Sequence, residues 1–145
     1  MTTTTQSILV GSQSTLLSTE LNSLASGSLA LGAAFDNTSG GYPFCDLEFV
    51  FSFGTNPTAS SGLSFWFLVT QDGTNYEDGG SSLTPARIPD CYCPVEVNTA
   101  TQRIVIRSAL PAGMFQPLLK NDATGQALAA SSNTVKLRPF TYQEL

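Results

Sequence analysis

The sequence predicts an all-β fold, an antiparallel β-sandwich, on three observations. Charged residues are only 12% of the chain, about half the usual ~25%, and glycine, serine and threonine stand in their place. Apolar residues recur at every second position in several segments, most clearly over Cys45–Phe53. Turn-forming clusters separate these segments at close intervals. A chain of 145 residues is one domain's worth and buries enough surface to fold without metals or disulfides.

The polar, low-complexity start reads as an extended arm over residues 1–13, interrupted by the apolar triplet Ile8-Leu9-Val10. A single domain then fills residues 14–145. Leu17, Leu21 and Leu24 fall at helical spacing, with Ser14 or Ser18 as cap and Gly27 as the stop. This predicts one short helix, with a strand as the competing reading. From Leu29 the period is two, and the run reaches Phe35. Cys45–Phe53 places Leu47, Phe49, Phe51 and Phe53 on one face and Asp46, Glu48 and Ser52 on the other. Leu63–Thr70 is apolar on both faces and reads as a central strand. Cys91–Val97 reads as a strand whose Pro94 marks an edge or a bulge. Gln102–Arg107 turns Ile104 and Ile106 inward and Arg103 and Arg107 outward. Met114–Lys120 is a strand interrupted by Pro117, and Asn121–Gly125 is a hairpin signal. Gln126–Ala130 and Thr134–Thr141 complete the set. About eight strands joined by several long connections favour a jelly roll over a meander. The expected core includes Phe49, Phe51, Phe65, Phe67, Ile104, Ile106 and Leu137.

Composition narrows the function. Histidine is absent, which removes the usual general base, the Ser-His-Asp and Cys-His nucleophiles and the commonest zinc ligand. An enzyme is therefore not expected, nor a metal or other cofactor. Formal net charge is −5, with no basic footprint for nucleic acid. No apolar run approaches a bilayer span, and the start has no basic or apolar signal segment. Charge is unevenly placed: residues 1–86 carry seven acids and no base, whereas residues 87–145 carry four acids and all six bases. Three cysteines are an odd number, and Cys91-Tyr-Cys93 points both thiols to one face of a strand. Small buried side chains are the expected role.

The acidic loop Asp72-Gly-Thr-Asn-Tyr-Glu-Asp78 matches a calcium loop poorly. Glu77 and Asp78, adjacent in sequence, make an unconvincing pair of glycosidase carboxylates. Trp66 and Tyr76 have the chemistry of sugar-stacking platforms, although Trp66 lies inside an apolar strand.

Glu20-Leu-Asn-Ser-Leu-Ala-Ser-Gly27, Asp46-Leu-Glu-Phe49, Asp72-Gly-Thr-Asn-Tyr76 and above all the stretch Leu118–Phe140 carry a resemblance. Over roughly residues 19–140 the chain resembles the jelly-roll decoration, or cement, proteins of tailed bacteriophage capsids. The resemblance implies a non-enzymatic virion protein, assembled in the host cytoplasm, on the outer surface of an icosahedral shell. Its implied partner is the major capsid protein; association with a further copy of itself is expected as well, as a homodimer before a trimer, since closed two-fold pairing is the commonest symmetry. Ile8, Leu9, Val10, Trp66, Arg87, Arg103 and Arg107 are the expected interface residues, with Lys136 and Arg138 as further cations. The alternative is a carbohydrate- or receptor-binding sandwich module of a virion.

Overall fold

The computed structural model describes residues 5–144, so the first four residues of the expected arm and Leu145 lie outside the described residues. Ten strands form two antiparallel sheets. The first sheet contains β1 (Gln6–Val10), β2 (Ser14–Leu17), β5 (Phe44–Phe51), β8 (Gln102–Ala109) and β10 (Thr134–Glu144). Its order is β1-β10-β5-β8, and β2 joins β10 further along. The second contains β3 (Leu29–Leu31), β4 (Phe35–Asp36), β6 (Gly62–Val69), β7 (Cys91–Pro94) and β9 (Met114–Asp122). Its order is β3-β9-β6-β7, with β4 also on β9. From β4 onward the chain changes sheet at every connection except β6 to β7.

The two inner faces meet in one core. Leu47, Phe49 and Phe51 of β5 alternate with half-buried Asp46, Glu48 and Val50, as period two requires. Strand β6 is buried on both faces because each packs against a separate apolar layer. Leu63, Phe65 and Phe67 enter the central core, where Phe65 meets Phe49 edge to face at 6.0 Å between ring centres. Trp66 and Leu68 point the other way and join Leu118, Leu29 and Leu31 in a second cluster on the far side of the sheet.

Pro117 lies within β9, a strand paired on both sides. The pairing opens where it sits: Leu31 faces Leu118 and Phe35 faces Phe115, so three residues of one chain segment span two of the other. This break separates β3 from β4 and removes the need for the N–H that proline lacks. Gly32 closes the gap by donating its N–H to the Pro117 carbonyl, and an added Cβ there would sit 2.6 Å from the Leu16 carbonyl oxygen.

Four expectations need correction. The helix over Leu17–Leu24 is absent. Leu17 ends β2, Thr19–Leu21 form one 3-10 turn, and the chain then crosses the end of the two sheets. All three leucines are buried, but by a strand end and a loop rather than by a helix face. Serine, threonine and asparagine give this stretch little helical propensity against the ladder bonds of β2 to β10. Gln126–Ala130 is not a strand; Leu128 makes a single bridge to Phe53. Asn121–Gly125 does not turn a hairpin, because β9 and β10 belong to different sheets. Ile104 and Ile106 are half-buried on an edge strand rather than closed in the core, whereas Phe49, Phe51, Phe65, Phe67 and Leu137 are buried.

Cys45, Cys91 and Cys93 are free and buried. Burial pushes the Cys45 and Cys93 thiols up to about 12 and raises Cys91 as well. A thiol held neutral in the folded state favours folding below the unfolded pKa of ~8.5, and that contribution falls as pH rises toward the folded value. All three thiols should therefore be silent to Ellman's reagent at pH 8 and react together in denaturant. Prompt reaction of any one in the native protein would contradict its placement.

Candidate functional site

The outer face of the first sheet gathers what the sequence scatters. The strands β8 and β10, both from the base-rich half of the chain, flank acid-bearing β5. Their outward residues form ladders across the sheet: Arg107–Asp46–Arg138, Val105–Glu48–Lys136 and Arg103–Val50–Thr134. Four of the protein's six bases thus share a face with two acids, a local excess of two positive charges on a chain of net −5.

Hydrogen bonds order this face. Arg107 donates from Nε and Nη2 to the two carboxylate oxygens of Asp46 at 2.9 and 3.2 Å. Arg138 stands 3.6 Å from the same carboxylate, and Arg103 donates to Glu48 at 2.9 Å. The hydrogen bonds from Arg107 hold the Asp46 carboxyl below its ordinary value, outweighing the opposite effect of partial burial, and Arg107 is raised in return. The lowered carboxyl stabilises the fold above about pH 4, and its contribution disappears as pH falls through the lowered value. These surface pairs contribute little stability individually. Their effect is to fix the direction of cationic side chains that remain more than half exposed: Arg103 at 64%, Arg107 at 59% and Arg138 at 53%.

Beyond the charged ladders the same face becomes apolar. Phe140 is buried outside the central core, beneath the Arg107 guanidinium 4.5 Å above its ring. Phe44 stacks on it at 5.6 Å, and Tyr142 meets both rings edge-on at 5.8 Å. Val10 and Ile8 continue this surface, opposite Phe140 and Tyr142 respectively. Phe44, Tyr142, Ile8 and Val10 are all exposed. One side of the molecule therefore combines an aromatic end with a cationic middle.

The expected interface residues fall into three groups. Arg103 and Arg107 lie on this face, paired with acids of their own chain rather than free. Ile8, Leu9 and Val10 belong to β1 and pair with Tyr142, Thr141 and Phe140. The sequence predicts an extended arm over residues 1–13; within the described residues Gln6–Val10 is a strand of the chain's own first sheet. Its partner extends three residues past the expected end at Thr141, and that extension carried no strong apolar signal.

Trp66 is withdrawn from the surface, whereas Arg87 is exposed but engaged within its own chain. Trp66 is 3% exposed, and its indole N–H donates to the Arg87 carbonyl at 3.2 Å, so its ring is no platform for a sugar. The Arg87 side chain clips the edge of β6 beyond the reach of β7. It donates to the Phe67 carbonyl at 2.8 Å and pairs with Asp90 and Glu77. The Asp90 and Glu77 carboxylates in turn accept the Phe67 and Val69 N–H groups. These side chains replace the missing neighbour strand.

Asp72 turns inward on its own loop, accepting from the Thr74 and Asn75 N–H groups and the Asn75 amide, which lower its pKa. Among the described residues no group of three or more Cys, Asp and Glu side chains is arranged to hold a metal ion. Among them, too, no helix is long and apolar enough to cross a membrane. In comparisons with known proteins, the chain matches no family profile and no curated sequence.

Proposed function

We propose that the protein is a virion structural protein of jelly-roll type that docks on the outside of a phage capsid and cements neighbouring capsomers. Pairing order supports the fold reading. The segments β1 and β2 are successive pieces of one strand along β10, and β3 and β4 are pieces of one strand along β9. Counted so, eight strands divide between two four-stranded sheets, with first and last adjacent, as two Greek keys require.

The observation that carries the functional reading is the outer face of the first sheet. A fixed cationic field beside exposed aromatic and aliphatic side chains suits an acidic protein surface, with rim charges for steering and apolar area for retention. Many copies on a lattice need only modest individual contacts. The protein also pairs with itself in this reading.

Capsids of the virus that encodes the chain, stripped of their outer proteins, provide the test. The purified protein should co-sediment with them. Raising NaCl to ~1 M, where the Debye length falls to ~3 Å, should slow attachment far more than it strips bound protein. Failure to bind at any salt concentration contradicts the reading.

A further inference from the structure

Sheet edges are the places where a β protein must prevent unwanted pairing, and three of the edges here are visibly guarded. Strand β7 is four residues long and ends in Pro94. The β3–β4 edge is short and broken at Gly32. Strand β8 carries Arg103 and Arg107. The edge strand β1 has none of these devices. Gln6-Ser-Ile-Leu-Val10 contains no charge, no proline and no bulge in its pairing with β10. Ile8, Leu9 and Val10 are 54%, 44% and 45% exposed. It also overhangs: β5 meets β10 no further than Phe140, so β1 with Thr141–Glu144 forms a two-stranded ribbon beyond the rest of the sheet.

The direction of the unused backbone groups follows from the ladder. Gly11 donates its N–H to the Pro139 carbonyl. Hydrogen-bonded pairs alternate along an antiparallel ladder, so Leu9 and Ser7 bond to Thr141 and Gln143, and Gln6, Ile8 and Val10 direct N–H and C=O away from β10. Among the described residues nothing pairs with that edge.

The geometry points to a second copy of this chain as the occupant, with β1 pairing antiparallel to β1 across a two-fold axis at Ile8. In that register Ile8 faces Ile8 of the second copy, and Gln6 faces its Val10. Every outward group finds a partner, in about six hydrogen bonds, two for each hydrogen-bonded pair. A register centred on Ser7 or Leu9 also sets outward residues opposite one another but forms only two such pairs within Gln6–Val10, and an axis between two residues would set outward groups against inward-bonded ones. The strand is neutral, so self-pairing sets no like charges opposite one another. The same patch meets itself on both subunits, as closed two-fold association demands. The apolar outer side chains Ile8, Val10, Phe44 and Tyr142 then continue across the joint as one face. The inference gives a surface to the self-pairing proposed above and does not depend on capsid docking.

Sedimentation of the full chain, with three variants, tests it. The wild-type protein should be a dimer at micromolar concentration. Ile8→Pro removes an outward N–H and leaves the bonds to β10 intact, so it should raise the dimer dissociation constant at least about tenfold. Ile8→Lys places two like charges at the axis and should do the same. Both should melt within a few degrees of wild type, which separates lost pairing from lost folding. Ile8→Cys should crosslink to its own copy on mild oxidation, since hydrogen-bonded partners lie ~5.5 Å apart between Cα atoms. A wild-type monomer at 100-fold higher concentration overturns both self-pairing and the β1 assignment. A dimer that persists in Ile8→Lys overturns the β1 assignment and leaves self-pairing through another surface, and one that fails to crosslink in Ile8→Cys overturns the placement of the axis at Ile8.

Discussion

Replacing Phe49 by alanine should destabilise the protein by about 3–5 kcal/mol, the range for removing a large side chain from a closed core. Phe49 is 0% exposed and lies where the two sheets meet. Val135 and Ile104 flank it within the first sheet, and the Phe65 ring faces it from the second. Its neighbours are themselves held in strand ladders, so the space left by the ring cannot collapse. Small domains have only about 5–15 kcal/mol of total stability, so this single change removes a large share. Urea denaturation should show a lower midpoint with an unchanged slope. A loss under about 1 kcal/mol would mean that the inner faces do not close on one another.

A second large effect is expected at a polar residue. Asn121 is fully buried at the end of β9, where the loops 18–28 and 123–133 cross the end of the sheets. Its amide donates to the Leu24 and Gln126 carbonyls at 2.9 and 2.8 Å, and its Oδ1 accepts from the Thr124 hydroxyl. One side chain thus ties both loops to the strand, and backbone bonds between Asn121 and Gly27 and Ser28 complete the junction. Asn121→Leu keeps the volume and deletes the bonds. Each buried polar group left without a partner costs about 1–3 kcal/mol. The Leu24 carbonyl keeps a bond from the Leu128 N–H and the Gln126 carbonyl one from the Thr124 hydroxyl, so no acceptor is left bare and the expected total is that of three lost hydrogen bonds at about 0.5–1.5 kcal/mol each, about 2–4 kcal/mol. Both loops should also become more sensitive to limited proteolysis. A neutral outcome for Asn121→Leu would show that packing alone holds this end.

The parts of the fold legible in the sequence were those set by side-chain period. Cys45–Phe53 reads correctly because one face of β5 meets the core and the other meets solvent. Leu63–Thr70 reads as central because β6 has apolar material on both sides, the second layer being the Trp66 cluster. Segments held by backbone and polar contacts carry no such period. Leu17, Leu21 and Leu24 mimic a helix because a strand end, a single turn and a loop bring leucines to the core at the same spacing. The end of the sheets is closed by Asn121, Thr124 and Asn133, and no hydrophobic pattern marks such residues.

The candidate face was legible only in pieces. Arg103 and Arg107 were found by alternation on β8, but their partners Glu48 and Asp46 are more than fifty residues away. Phe44, Phe140 and Tyr142 passed unnoticed because each sits at the end of an expected strand, where period two weakens. The charge asymmetry between the halves of the chain is the other signal that points to the face. Its meaning emerged from strand order, which inserts acidic β5 between basic β8 and β10.

Capsid attachment by two sets of variants tests the central claim most directly. Arg103→Gln, Lys136→Gln and Arg138→Gln together turn the face from an excess of two positive charges to an excess of one negative, and leave the Arg107–Asp46 pair in place. Tyr92→Ser and Ile88→Ser together alter exposed apolar residues away from it, on the outer side of β7 and in the preceding loop. Both sets should fold with melting temperatures near that of the parent. The account predicts that the triple variant attaches to stripped capsids at least about tenfold more slowly at low salt and at nearly the parental rate in ~1 M NaCl. The control pair should attach like the parent at both. Equal attachment by the triple variant and the parent at low salt, or a defect confined to the control pair, would contradict docking through the first sheet.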